Sequence, residues 1–277
     1  MIKLFKIDFK KLRHYRTFWV LIILYFTTMG LVTSSGMEFL KWLKSKGADF
    51  DEVDILRVPL YHFPDIWQNL TYISTYFQPV LAIIIIISLT NEFSYKTIRQ
   101  NIIDGFDRKD FLFSKMLTIF VLTLASTLFV FLIGFTTGLI YTPESEMRHM
   151  FKETEFIFGY FIATFGYLTM VMFLAILIKR AGLAIGVVLI YPALEYAFTG
   201  ILSGISAVKD DALAAILPYG DYLPVHAFNA IIEVPFPRYV FMEIKDYLDP
   251  LSLSVVFGYI VLFTWLSYRN LVKRDFN

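Results

Sequence analysis

The sequence predicts an all-α, polytopic membrane protein with six transmembrane helices. Three observations carry that expectation: six uncharged or nearly uncharged runs of spanning length, a composition too apolar for a soluble domain, and a lopsided distribution of Lys and Arg between alternate connecting segments. About 20 apolar residues in a helix cross the ~30 Å of bilayer hydrocarbon. Runs at 17–37, 66–91, 116–143, 156–178 and 250–268 contain no Asp, Glu, Lys or Arg and are 21, 26, 28, 23 and 19 residues long. A sixth, 181–208, is 28 residues long and is interrupted only by Glu195, close to its midpoint. These runs are helical, not barrel strands, because a membrane strand alternates in polarity and the five isoleucines at 83–87 do not. The whole chain, 1–277, reads as one transmembrane domain.

Composition excludes several other classes. The chain is 57% apolar and 18% charged, with mean hydropathy +0.61, whereas soluble domains carry roughly a quarter charged residues. A net charge of +1 gives no footprint for nucleic acid. Zero cysteines remove disulfides, thiolate metal sites and a Cys nucleophile. The four histidines, His14, His62, His149 and His226, are dispersed and form no His-Glu-x-x-His pair, so no metal site is expected. The sequence also lacks a Gly-x-Ser-x-Gly elbow for a serine nucleophile.

With the N-terminus in the cytoplasm, 16 of the 25 basic residues and 6 of the 24 acidic ones fall on the inside, against 9 basic and 17 acidic outside. That asymmetry predicts both termini in the cytoplasm. Residues 1–16 place Ile2, Phe5, Phe9 and Leu12 at helical spacing beside a stripe of Lys3, Lys6, Lys10 and Arg13. Such a helix lies amphipathically in the headgroup plane, in contact with lipid; the alternative is a basic segment that only fixes orientation.

After the first span, residues 38–44 read as a short interfacial helix, followed by an exposed acidic turn at Asp49, Asp51, Glu52 and Asp54. Between spans five and six, 209–249 combine apolar stretches with Pro218, Pro224, Pro235 and Pro237. Broken apolar backbone at a membrane reads either as re-entrant helices buried against protein or as a small extracellular cap. Gly134 and Gly138 form a Gly-x-x-x-Gly pair in the third span, suited to close packing within the chain.

The connection between spans two and three begins Asn91-Glu92-Phe93-Ser94-Tyr95-Lys96-Thr97-Ile98-Arg99-Gln100-Asn101. It continues through Asp104, Gly105, Phe106, Asp107, Arg108, Lys109, Asp110 and Phe111 to Lys115. Gly105 supplies a break, and Asp107 with Asp110 three residues on predicts a new helix start. On these residues the chain resembles the membrane subunits of ATP-binding-cassette exporters of the type-2 permease family, along essentially its whole length. The resemblance implies a cytoplasmic amphipathic N-terminal helix, six spans, a coupling helix at 104–112 that seats on an ATPase, and broken helices between spans five and six. It makes Glu92 the family's acidic residue at the end of span two and, with Glu195, Tyr191 and Tyr196, a candidate for the pathway or an interface. Lys96 departs from the pattern, since many members have Gly before the Thr.

No Walker loop, Gly-x-x-x-x-Gly-Lys-Ser/Thr, occurs among the 14 glycines, so the chain has no cofactor of its own and is not expected to be an enzyme by itself. The resemblance therefore implies two copies of a separate Walker-loop ATPase carrying ATP and Mg, and a second permease chain, identical or paralogous, in a bacterial cytoplasmic (inner) membrane. A non-transporting scaffold or sensor would account for the spans but not for the coupling pattern. An intramembrane enzyme built on His226, Asn229 and Glu233 is a third reading. Glu195 is expected to line a pathway or an interface, with Tyr191 and Tyr196 near it, or else to sit neutral and hydrogen-bonded, because charge at mid-bilayer is costly.

Overall fold

The computed structural model describes residues 2–46, 59–206, 220, 222–235 and 247–273, and every regular element among them is helical. In order these are α1 (Ile2–His14), α2 (Arg16–Ser45), α3 (Ile66–Thr75), α4 (Gln78–Ser94), α5 (Thr97–Ile103) and α6 (Arg108–Tyr141). A 3-10 turn (Glu144–His149) follows, then α7 (Glu155–Ile178), α8 (Ala181–Ser206), α9 (Pro224–Ala230) and α10 (Pro250–Lys273). Five of these helices are long and apolar enough to cross a membrane, or six if α3 and α4 together form one span. The protein is membrane-embedded.

Successive long helices run in alternate directions and give the bundle two ends. At the α1 end, the Arg108 guanidinium donates to the carbonyls of Leu271 and Val272, and Lys179 lies over the Phe93 ring. At the opposite end, the Phe63 amide donates to Thr142 Oγ1 at 2.9 Å, Trp67 Nε1 to the Met150 carbonyl at 2.8 Å, and the Leu248 amide to Glu155 Oε1 at 3.1 Å. Tyr61 also donates there, to the Thr33 carbonyl at 2.6 Å; burial pushes its phenol above the ordinary range and keeps it a donor.

Helix α7 is the centre of the bundle. Two thirds of its most apolar stretch is buried, against about a fifth for α2, α8 and α10, and it packs on α3, α4, α6, α8, α9 and α10. A buried polar triad ties it to its neighbours: Tyr25 on α2 meets Ser126 on α6 at 2.5 Å, and Ser126 meets Tyr160 on α7 at 2.8 Å. Hydrogen bonds of this kind hold helices together where lipid removes the hydrophobic drive. The Gly134/Gly138 pair does pack within the chain: a Cβ at Gly138 would lie 2.3 Å from Phe63 Cζ, and one at Gly134 2.9 Å from Trp67 Cζ3.

The helix boundaries correct several sequence expectations. The run at 66–91 is bent by 44° between α3 and α4. Pro79 accounts for the break, since it lacks the N–H that would bond the Thr75 carbonyl and its ring crowds that carbonyl. Residues 38–44 are not a separate interfacial helix: with no proline after Gly36 and a 2.7 Å pair between Lys41 and Glu38, α2 continues to Ser45. The acidic turn at Asp49–Asp54 and most of 209–249 lie outside the described residues.

Candidate functional site

The polar chemistry of the chain gathers in two places, one at each end of the bundle. At the α1 end, Lys115 is buried about two turns into α6, and its ammonium donates to Asp8 Oδ2 at 2.8 Å and to Glu92 Oε1. Ser114 donates to the same Asp8 oxygen at 2.6 Å, and Lys11 approaches Asp8 Oδ1 at 3.9 Å. Asp8, Glu92 and Lys115 are 2%, 7% and 4% exposed. Three helices, α1, α4 and α6, are thus pinned by one ammonium shared between two carboxylates. The residue of α1 that docks is its lone acid, while Phe9 is half exposed and Ile7 partly so. Glu92 therefore sits in this cluster and not with the other pathway candidates.

Beside the cluster, the chain leaves α4 through Lys96, whose φ of +55° is left-handed, the conformation that glycine adopts without strain. The resemblance leads to the expectation of Gly at this position. Helix α5 follows, then a turn at 104–107 with Gly105 at φ +86°. Asp107 has the extended backbone of a helix-capping residue (φ −72°, ψ 152°), and α6 starts at Arg108.

The expected short helix at 104–112 is corrected by this geometry. Its start at Asp107 agrees, but nothing between Arg108 and Tyr141 breaks the helix, so residues 108–112 are the first turns of a 34-residue helix about 50 Å long. The short helix lies upstream instead, at Thr97–Ile103. Of the eight expected docking residues, Asp104, Gly105, Asp107 and Lys109 are exposed, Phe106, Arg108 and Asp110 are half-buried, and Phe111 is buried. Arg108 is committed to the C-terminal end of α10, and Lys109 lies over the Tyr268 ring.

At the opposite end, Glu195 is 3% exposed on α8. Its carboxylate accepts the amides of Val225 (3.3 Å) and His226 (2.7 Å) and contacts His226 Nδ1 at 2.8 Å. It therefore caps the start of α9 from a different helix, satisfying amides that a helix N-terminus leaves open. Tyr196 packs on the His226 ring with centroids 4.2 Å apart, its hydroxyl accepts from Asn229 at 2.8 Å, and Tyr191 lies beside the same carboxylate. His226 Nε2 stands 3.3 Å from Thr199 Oγ1. Thr199, His226 and Glu195 have the order of a nucleophile, base and acid. The Thr199 hydroxyl, however, also donates to the Glu195 and Tyr196 carbonyls, and Glu195 is occupied with two amides, so the group acts as a clasp holding α9 to α8. Asn229 is drawn to Tyr196, and Glu233 is exposed on the rim of an adjoining cavity of about 780 Å³. That cavity lies between the α3–α4 bend, α7, α8 and the α9 segment.

Sequence reasoning missed Asp8, Ser114 and Lys115 as a site. A signal was present, since Asp8 is the single acid among six basic residues in 1–16, and Lys115 stands at the very edge of an apolar run. Among the described residues no group of His, Asp or Glu is arranged to hold a metal ion.

The sequence model of one family, described as "Protein of unknown function (DUF2705)", matches residues 55–277. The chain belongs to that family. No curated protein matches it.

Proposed function

We propose that this member of the DUF2705 family is the permease subunit of an ATP-driven exporter in a bacterial cytoplasmic membrane, with six spans and both termini in the cytoplasm. The observation that carries the reading is the buried Asp8–Lys115–Glu92 cluster beside the turn at 104–107, where Asp104, Gly105 and Asp107 are exposed. Force applied to this surface from the cytoplasm is not absorbed locally, because α1, α4 and α6 are clamped together there and α6 runs unbroken through the membrane. ATP and Mg belong to a separate Walker-loop ATPase, two copies of which serve this chain and a second permease chain, identical or paralogous. The docking face is then α5 with the turn, and Asp104 and Asp107 are its exposed charges. Arg108 is a positioning residue that holds the end of α10.

The test is isolation of the tagged chain from its native membrane in mild detergent, with mass spectrometry of what accompanies it. The expected result is a Walker-loop ATPase at about one per permease, lost when Asp104 and Asp107 are both replaced by Lys while the chain's elution profile is unchanged. A chain that emerges alone, or with partners that are not ATPases, overturns the exporter reading in favour of a scaffold or sensor.

A further inference from the structure

The cluster at the α1 end satisfies one oxygen of each carboxylate. Asp8 Oδ2 takes Lys115 and Ser114, and Glu92 Oε1 takes Lys115. The second oxygens, Asp8 Oδ1 and Glu92 Oε2, are buried and have no hydrogen-bond partner among the described residues. Buried polar atoms are nearly always paired, so two such oxygens in one cluster mark a place where a ligand completes the bonding.

Asp8 and Glu92 both border a pocket of about 210 Å³ where the last turns of α1 and α4 meet the start of α5. Ser88, Asn91 and Thr97 border it as well and carry neutral oxygens. The two unpartnered oxygens are covered, but the terminal torsion of a carboxylate is broad, so each can turn toward the pocket that its own residue borders.

Charge sets the valence of the ligand. Two carboxylates against one buried ammonium leave one formal negative charge. Lys11 also borders the pocket, but its ammonium stands 3.9 Å from Asp8 Oδ1, too far for a hydrogen bond, on a side chain that is 40% exposed. So exposed a pair contributes little, and the lysine can withdraw to solvent. Among the described residues no third acid or histidine joins Asp8 and Glu92 to make a site for a divalent ion.

We infer that this pocket binds one alkali-metal cation, sodium or potassium, between Asp8 and Glu92 in exchange for Lys11. Hard cations take oxygen ligands, and the two carboxylates with Ser88, Asn91 and Thr97 form such a set. The ion draws α1 and α4 together through the oxygens that Lys115 does not hold. This inference is independent of the exporter reading, because occupancy is an equilibrium property of the chain alone and needs no ATPase.

The experiment follows the thermal midpoint of the purified full chain in a neutral maltoside detergent by tryptophan fluorescence. Sodium chloride or potassium chloride replaces N-methylglucamine chloride stepwise at constant ionic strength, so that screening does not change. A saturable rise with at least one of the two ions is expected, and at about ten times its dissociation constant the folded-to-unfolded ratio rises about tenfold. Glu92→Gln should weaken the binding about tenfold or more, whereas Lys11→Gln, at an exposed position, should tighten it roughly two- to fivefold by removing the competing cation. Equal midpoints in alkali and N-methylglucamine salts overturn the inference, as does parental affinity in a Glu92→Gln chain with an unchanged elution profile. Unchanged or weaker binding in Lys11→Gln overturns it as well, and that comparison leaves the buried cluster intact should Glu92→Gln fail to fold.

Discussion

Replacing Lys115 with Met tests the cluster at the α1 end most directly, because the two side chains are similar in length and the change removes little but the charge. In the parent one ammonium serves two carboxylates that are 2% and 7% exposed. Removing one partner of a buried ion pair costs about 3–5 kcal/mol, mainly through the charge left behind. The two carboxylates are not left equal. Asp8 Oδ1 and Glu92 Oε2 alike have no hydrogen-bond partner among the described residues, but Asp8 keeps the Ser114 hydroxyl at 2.6 Å on Oδ2 and Lys11 at 3.9 Å, whereas Glu92 Oε1 loses Lys115. Most of the penalty therefore falls on Glu92. Unfolding in mixed micelles of rising dodecyl sulfate fraction, followed through tryptophan fluorescence, should show the folded-to-unfolded ratio of Lys115→Met reduced by roughly two to four orders of magnitude. Adding Glu92→Gln to that variant should recover more stability than adding Asp8→Asn. A Lys115→Met midpoint equal to the parent's, or a larger rescue by Asp8→Asn, would refute the reasoning.

Three further outcomes are expected. Gly138→Ala drives a methyl into the Phe63 ring and should cost about 1–3 kcal/mol in the same unfolding assay, while Gly186→Ala, inside α8 with open space around it, should stabilise by about 0.5–1 kcal/mol. Lys96→Gly relieves a left-handed backbone at φ +55° and should stabilise the chain by about 0.5–1 kcal/mol, whereas Lys96→Ala, which keeps the strain, should not. Glu195→Ala uncaps α9 at a cost of about 1–2 kcal/mol, so hydrogen exchange at the Val225 and His226 amides should accelerate roughly five- to thirtyfold, with the α7 amides unaffected.

The long helices were legible because the constraint that makes them is local: a run either holds enough apolar residues to cross the bilayer or it does not. Helix ends were less legible. The start at Asp107 was readable from Asp and Gly, but the absence of a later breaker was needed to see that 108–112 join α6. Pro79 could have announced the bend between α3 and α4, yet Pro192 lies inside α8 and α8 continues through it, so proline alone does not decide. The clusters were least legible, because Asp8 and Lys115 are 107 positions apart and each is ordinary in its own segment. Glu195 stood out because an acid within an apolar run is conspicuous, but its partner, the opening turn of α9, has no mark beyond Pro224.

The Asp8–Lys115–Glu92 cluster and the cavity are joined by one helix. Glu92 anchors the end of α4 at Lys115, and Gln78 anchors its beginning at Thr164 on α7, beside the cavity. Seventeen residues of regular helix, about 25 Å, hold their length under displacement far better than the interruption at Tyr76 and Phe77 does. A shift delivered to Glu92 should therefore reach the α3–α4 bend, where Tyr72 and Tyr76 line the cavity. Spatial continuity does not itself establish energetic coupling. Asp8→Asn supplies the missing test, since it perturbs the cluster without touching the cavity and should cost only about 1–2 kcal/mol of stability. A change of threefold or more in hydrogen exchange at the Tyr76 and Phe77 amides, with the α7 amides unaffected, would mean that the two ends share an equilibrium. Unchanged exchange there, with the Asp8→Asn chain demonstrably less stable, would mean that α4 is a strut and that the two ends act separately.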